Sequence, residues 1–357
     1  MSEHAGALTM KEALRAVAPG TEVRDGLERI LRGRTGALIV LGWNEQVAQL
    51  CSDGIELDVE FSATRLRELA KMDGAVVVDH SRGRIVRANV QLTPDTAIPT
   101  TETGMRHRTA ARVARQTGLP VITVSKSMEV VALFLGAERH VLEPSTAILG
   151  RANQAIATLE RYTTRLEEVS RALTALEFTD MVTIRDVAVV LQRLEMVRRI
   201  AAEIDDYVAE LGTDGRLVAL QLDELNRGVS RDRSLVLRDY VAYPSELGAA
   251  ESHLTWLNSS ELVDFSIVAR ALGWKDPQGL GLDLPVTPRG HRMLARIPRV
   301  PSVVADSIIA QLGPLPAILA ASEEDLLTVD GVGPLRARAV HDGLDRLAQV
   351  TVIDRFV

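Results

Sequence analysis

Apolar positions in the first 145 or so residues switch between two periods. Leu8–Val17 and Glu22–Leu31 place them three and four apart, which predicts helices. Ala37–Leu41 (ALIVL) is a short continuous apolar run of strand type, and Ala63–Ala70 returns to helical spacing. Ala75–Val78 and Ile85–Val90 flank the turn-like Ser81-Arg82-Gly83-Arg84, the signature of two strands joined by a hairpin. A helix is predicted from Arg108 to Gln116, closed by Gly118 and Pro120, with Val121–Ser125 returning as a strand. This part of the chain reads as an α/β domain with a central mixed sheet.

From Pro144 to about Gly212 the pattern changes to long helical periodicity, as in Ala155–Leu176 and Ile184–Leu211, and Leu217–Leu225 and Ser234–Val241 continue it. Residues 273–290 concentrate Gly and Pro, which marks a domain boundary. The expected organisation is multidomain, α/β followed by all-α: 1–145, a helical spine over 146–287, and a C-terminal module over 288–357.

Composition fits a globular chain of two or three domains: 357 residues, 46% hydrophobic and 25% charged, with only 3% aromatic, so Leu, Val, Ile and Ala must build the cores. No apolar run approaches the roughly 20 residues of a membrane span, and the N-terminus shows no basic-then-apolar leader, so a cytoplasmic protein is expected. Cys51, the single cysteine, cannot form an internal disulfide and reads as a small buried hydrophobe. The net charge of −7 disfavours a nucleic-acid partner at first sight. Its distribution weakens that objection: residues 1–149 carry 18 basic and 18 acidic side chains and 288–357 carry 8 of each, so the whole excess lies in 150–287.

Two motifs suggest chemistry. Asp73-Gly74-Ala75 stands at the mouth of a buried strand, and Arg106-His107-Arg108-Thr109 opens a helix after Thr101–Gly104 (TETG). Alone, the first is most often a turn and the second a solvated basic face. Together they suit a nucleoside triphosphate. A helix N-terminus offers unpaired N–H groups and partial positive charge, Arg106 and Arg108 reach the phosphates, and an aspartate at a strand mouth can hold a divalent cation.

Their order and spacing resemble the diadenylate cyclase (DAC) domain family, defined by Asp-Gly-Ala and Arg-His-Arg motifs about thirty residues apart. The likeness extends to the intervening hairpin, to Leu92 within ANVQLTP, to the TGMRHRTA context and to Val124-Ser125. The resemblance implies that two DAC domains meet face to face, each holding one ATP, and that each ribose 3′-oxygen attacks the other's α-phosphate to close cyclic di-AMP. It implies Asp73 as metal ligand and activator of the 3′-hydroxyl, Gly74, Ala75 and Leu92 at the adenosine, Met105, Arg106, His107, Arg108 and Thr109 on the phosphates, and Ser125 nearby. His107 is left open between phosphate contact and proton shuttle. Mg²⁺ is the expected cofactor, and Mn²⁺ suits one carboxylate and phosphate oxygens equally well.

The C-terminal module contains two half-motifs of similar design. In the second, Glu323–Leu327 is a short helix, Val329-Asp330-Gly331-Val332-Gly333 a hairpin, and Pro334 opens another helix. This resembles the helix-hairpin-helix motif of DNA repair proteins. Gly331 and Gly333 would let backbone N–H groups face a phosphate, with Arg336 and Arg338 adding charge. The first half, Ile297-Pro298-Arg299-Val300-Pro301, has proline where glycine is expected, and Arg289, Arg292, Arg296 and Arg299 are candidates to compensate.

The three-part layout resembles the DNA-integrity-scanning family of diadenylate cyclases, which implies octamers built through face-to-face DAC domains, recognition of branched DNA such as Holliday junctions, and nucleoid association. The competing readings are a non-enzymatic DNA-binding repair factor whose N-terminal domain only binds nucleotide, and a nucleotidyltransferase acting on a separate acceptor.

Overall fold

The computed structural model describes residues 8–275 and 281–353, so residues 1–7, where the leader pattern was sought, and 276–280 within the Gly/Pro-rich stretch lie outside the described residues. The chain forms two compact units, one from Met1–Gln154 and Glu203–Gln221, the other from Ala155–Ala202 and Leu222–Val357.

In the first unit the order is α1 (Met10–Ala16), α2 (Glu22–Arg32), β1 (Ala37–Leu41), α3 (Glu45–Leu50), β2 (Cys51–Ser52), β3 (Ile55–Glu60), α4 (Ala63–Leu69), β4 (Ala75–Asp79), β5 (Arg84–Leu92), α5 (Met105–Thr117), β6 (Val121–Ser125), β7 (Val130–Leu135) and β8 (Glu138–Leu142). The eight strands form one sheet in the order β2-β5-β4-β1-β6-β7-β8, with β3 also pairing β5. β1 and β4 run parallel and the remaining pairs antiparallel, so the sheet is mixed.

Every residue of β1, β4 and β6 is buried because both faces of the sheet are covered. Ile39, Leu41, Val76 and Val78 pack with Val23, Leu27 and Ile30 of α2 and Leu66 of α4. Their neighbours in sequence, Leu38, Val40, Ala75 and Val77, turn the other way onto Val47 of α3 and Ala110, Val113 and Ala114 of α5. Side-chain caps set several helix starts: Thr9 with Glu12 forms a capping box on α1, while Thr21, Asn44 and Ser62 cap α2, α3 and α4.

The helical part contains α6 (Ser145–Phe178), α7 (Ile184–Leu211), α8 (Arg216–Leu225), α9 (Val229–Tyr240), α10 (Leu247–Trp256), α11 (Ser259–Val263) and α12 (Phe265–Ala271). Within the first unit the end of α7 is held by ion pairs from Lys11 to Asp205 and Asp206 and by His140 to Glu210 at 2.9 Å. Within the second unit Glu195, with no exposed side-chain surface, pairs with Arg198 at 2.6 Å, Arg199 at 2.9 Å and Arg233 at 3.2 Å.

The C-terminal stretch runs α13 (His291–Leu294), α14 (Ser302–Leu312), α15 (Leu315–Ala320), α16 (Glu323–Leu327) and α17 (Pro334–Ile353). It repeats itself at an offset of 32 residues: α13 begins at 291 and α16 at 323, and one core contains the equivalent pairs Leu294/Leu326, Ile297/Val329, Ala305/Ala337 and Ile308/Val340. The hairpins match as well. Arg299 (φ 70°) and Gly331 (φ 80°) occupy the same left-handed position.

Candidate active site

Strand register gathers the first unit's motif residues at one end of the sheet. Ile39 is level with Val76 on one side of β1, so continuing the register places Gly74 beside Ala37; on the other side Ala37 is level with Val124. The two positions flank one strand and stand two strand spacings apart, about 10 Å. Leu92 ends β5 two residues beyond Val90, the partner of Ala75.

Gly74 has φ 102°, and a Cβ there would stand 2.8–3.0 Å from backbone atoms of Asn89 and Val90, so the strand mouth closes only around glycine. Asp73 before it is exposed, whereas Ala75 is fully buried in the core and can offer a ligand only its backbone.

Beside Val124 opens a cleft of about 1000 Å³, lined by Arg34, residues 102–107, Val124–Glu129 and Arg139. Its chemistry begins with α5. That helix begins at Met105 after the N-cap Gly104, with no side-chain cap and no acidic residue in its first turn, leaving N–H groups and the positive end of the dipole free for an anion. Met105, Arg106 and His107 of the helix and Ser125 at the end of β6 meet in the cleft. The Arg106 guanidinium lies across Gly36, where a Cβ would collide with it.

His107 packs edge-on to Phe134, ring centres 6.2 Å apart, and its Nε2 is buried with no hydrogen-bond partner among the described residues. Arg139 lies over the same ring, 6.0 Å from the Phe134 ring centre, with Glu102 3.6 Å away. Among the described residues no salt bridge engages Arg34, Arg106 or Lys126, so the cleft holds cations without matching carboxylates.

The structure thus brings Met105, Arg106, His107 and Ser125 into one cleft and sets Asp73, Gly74 and Leu92 at the same sheet end beyond its lining. Arg108 and Thr109 follow on α5 outside the lining. Arg34, Glu102, Lys126, Glu129 and Arg139 were missed in the sequence because only the tertiary fold brings them together. A divalent cation fits Asp73 in one form only: an exposed single carboxylate that needs phosphate oxygens to complete the shell. Among the described residues the one three-membered ligand-type cluster is Glu323, His341 and Asp342, remote in sequence from both motifs.

At the C-terminal hairpins two expectations change. Arg289 and Arg292 do not supply phosphate contacts. Arg289 donates to the carbonyls of Asp239 (2.9 Å) and Val241 (2.6 Å), and Arg292, buried, donates to Glu177 at 2.5 Å. Glu177 also accepts from the Tyr240 hydroxyl at 2.6 Å, and Asp239 caps α13 by accepting from the N–H groups of Gly290, His291 and Arg292. Burial pushes the Asp239 carboxyl up to about 7 against the pull of those N–H groups. Burial, helped by Arg238, lowers His291 to about 4. Arg299 is exposed, Arg338 is 72% exposed and 3.8 Å from Glu323, and Arg336 donates to the Gly331 carbonyl at 2.7 Å, bracing the hairpin.

Comparison with known proteins decides the family. A model described as "DisA bacterial checkpoint controller nucleotide-binding" (DAC) matches residues 24–139, and one described as "DisA bacterial checkpoint controller linker region" matches 142–280. The chain is 58% identical over 351 residues to the DNA integrity scanning protein DisA of Kineococcus radiotolerans, covering 98% of each chain. The chain belongs to the DisA family. DisA of Streptomyces coelicolor is 56% identical, with 98% of this chain and 94% of that relative covered. Among solved structures, DacA from Staphylococcus aureus matches 37% of this chain and 87% of its own at 21% identity and a TM-score of 0.29. The DisA models divide this chain at residues 139–142, just after the last strand of the sheet begins.

Proposed function

We propose that this DisA-family chain is a diadenylate cyclase that condenses two ATP into cyclic di-AMP with release of two pyrophosphates, and that it reports on DNA integrity. The observation that carries the reading is the anion cleft at the uncapped start of α5, at the same sheet end as Asp73. In this reading Arg106, with Met105, His107, Arg108 and Thr109 around it, holds the phosphates, Ser125 donates to them, and Gly74, Ala75 and Leu92 line the adenosine. Asp73 holds a divalent cation, Mg²⁺ or Mn²⁺, and orients the attacking 3′-hydroxyl. When bound, that cation supplies charge neutralisation at the phosphates. The protein's own contribution is mostly positioning and electrostatics, as in phosphoryl transfer generally.

Each chain holds one ATP in this reading, so ring closure needs two copies face to face, and an octamer is the proposed assembly. Residues 1–145, 146–287 and 288–357 are the proposed cyclase, spine and tandem helix-hairpin-helix domains. The 32-residue repeat and the shared left-handed hairpin position support the last of these. Branched DNA is the proposed partner, contacted through Gly331, Gly333, Arg336, Arg338 and Arg299, and the cytoplasm and nucleoid the proposed location. Among the described residues no helix is long and apolar enough to cross a membrane. Binding to a four-way junction against linear duplex, compared in wild type and Gly331→Val, tests the DNA assignment. Equal binding by both proteins removes the hairpin from the interface.

A further inference from the structure

We propose that Arg34, which no sequence motif singles out, is a phosphate-binding residue that holds the part of ATP that leaves as pyrophosphate. The inference rests on the cyclase reading for the identity of the leaving group. Arg34 reaches the cleft from the loop between α2 and β1, two residues before the Gly36 that lies under the Arg106 guanidinium. Lys126 and Arg139 line the same space, and the acids facing them are Glu102 and Glu129.

Glu102 is already engaged with Arg139 at 3.6 Å, while no salt bridge among the described residues takes up Arg34, Arg106 or Lys126. Cations that line one cleft without a carboxylate partner favour a polyanion there. Arg34 is the left-handed residue (φ 50°) that closes α2, its own N–H and that of Thr35 donating to the carbonyls of Leu31 and Ile30, and this cap fixes where its side chain leaves the backbone. Glu129 on the facing turn is likewise left-handed, φ 51°.

The geometry also chooses which phosphates. Gly74, placed at the adenosine, lies across β1 from this cleft, about two strand spacings from Val124, so the triphosphate runs from the adenosine towards the cleft. The cations therefore sit where the phosphate chain extends away from the reacting centre. In the reaction the 3′-oxygen forms a bond to the α-phosphorus and the bond from that phosphorus to the α,β-bridging oxygen breaks. Diphosphate departs with the electron pair, and the hydroxyl proton passes to water. The departing group gains a negative charge, and Arg34 stabilises it there.

The test uses the full chain and equilibrium binding of α,β-methylene-ATP, AMP and inorganic pyrophosphate to wild type, Arg34→Gly, Arg34→Asn and Arg34→Lys. Gly and Asn both accept the left-handed backbone, so neither should cost stability, and a thermal melt at or above wild type checks this. Losing a charge-assisted contact should weaken α,β-methylene-ATP and pyrophosphate about ten-fold or more. AMP should bind as before, and Arg34→Lys should recover part of the loss. Unchanged pyrophosphate affinity, or an equal loss for AMP, overturns the assignment. Because binding is read without turnover, the proposal is separable from the cyclase reading: a chain that makes no cyclic di-AMP yet shows the selective loss refutes only the latter.

Discussion

Gly74→Ala probes the strand mouth that carries Asp73. The added methyl would stand 2.8 Å from the Asn89 carbonyl carbon, 2.9 Å from the Val90 carbonyl oxygen and 3.0 Å from the Val90 nitrogen, all backbone that no rotamer can move aside. A non-glycine at φ 102° adds strain of about 1–2 kcal/mol, and forcing a methyl into filled space adds about 1–3 kcal/mol. The expected destabilisation is about 2–5 kcal/mol. Gly83→Ala isolates the first contribution, since Gly83 has φ 62° and nothing within 4 Å of its would-be Cβ; it should cost about 1 kcal/mol. Relief to an ordinary contact of 3.4 Å requires β4 or β5 to shift by about half an ångström. Displacing Asp73 by that amount should lower the cyclase rate about ten-fold, given that 1 Å can cost a hundred-fold. Chemical denaturation followed by Trp43 fluorescence, with Trp256→Phe and Trp274→Phe silencing the second unit, gives the stabilities, and cyclic di-AMP formation gives the rates. If Gly74→Ala matched Gly83→Ala in both, the close approach to Asn89 and Val90 would not exist and the reasoning would fail.

Other perturbations reach the second unit. Arg292→Ala should destabilise it by about 3–5 kcal/mol, because it strands the fully buried Glu177 carboxylate with only the Tyr240 hydroxyl; denaturation read from Trp274 checks this, and a loss under 1 kcal/mol would contradict it. Asp239, lifted to about 7 from 3.8, binds extra protons when folded, so its contribution to stability falls as pH rises from about 4 to 7. His291, lowered to about 4 from 6.5, is the reverse: the unfolded chain binds more protons, so its contribution rises over the same window. The two offset each other in the wild type. Asp239→Asn should therefore unmask a rise of stability with pH and His291→Gln a fall, and unchanged slopes in melts at pH 4–7 would refute both. Arg299→Gly should raise stability by about 1 kcal/mol by removing left-handed strain while weakening DNA binding, measured by melts and by titration with a four-way junction.

Local signals were enough for much of the fold. The runs at Ala37–Leu41 and Val121–Ser125 and the long period over Ile184–Leu211 match β1, β6 and α7 residue for residue, because burial on both faces or along one stripe writes itself into the pattern. β3 was illegible because IELDVE, though alternating, is an edge strand facing water, and β2 is only two residues long. β7 (VVALFL) carries the same continuous apolar run as β1 and was legible on that ground though not assigned, whereas β8 (ERHVL), a short charged strand, carries no distinctive period. α5 begins at Met105, three residues before the predicted start, so the Arg106–Arg108 triplet lies within its first turn, where the anion argument needs it.

The site was legible only where motif residues lie close in sequence. Arg34 and Arg139 join Arg106 through sheet order, which no spacing rule reveals. Counting charges by segment misjudged Arg292 for the same physical reason: its partner Glu177 is 115 residues away, so an inward-facing arginine read as a surface one.

The most direct test of the central claim is to incubate the purified chain with ATP and Mg²⁺ or Mn²⁺ and separate the nucleotides by chromatography, with Asp73→Asn alongside. The account predicts cyclic di-AMP and pyrophosphate from the wild type and none from the variant. ATP bound by intact oligomers with no cyclic product under either metal would contradict it.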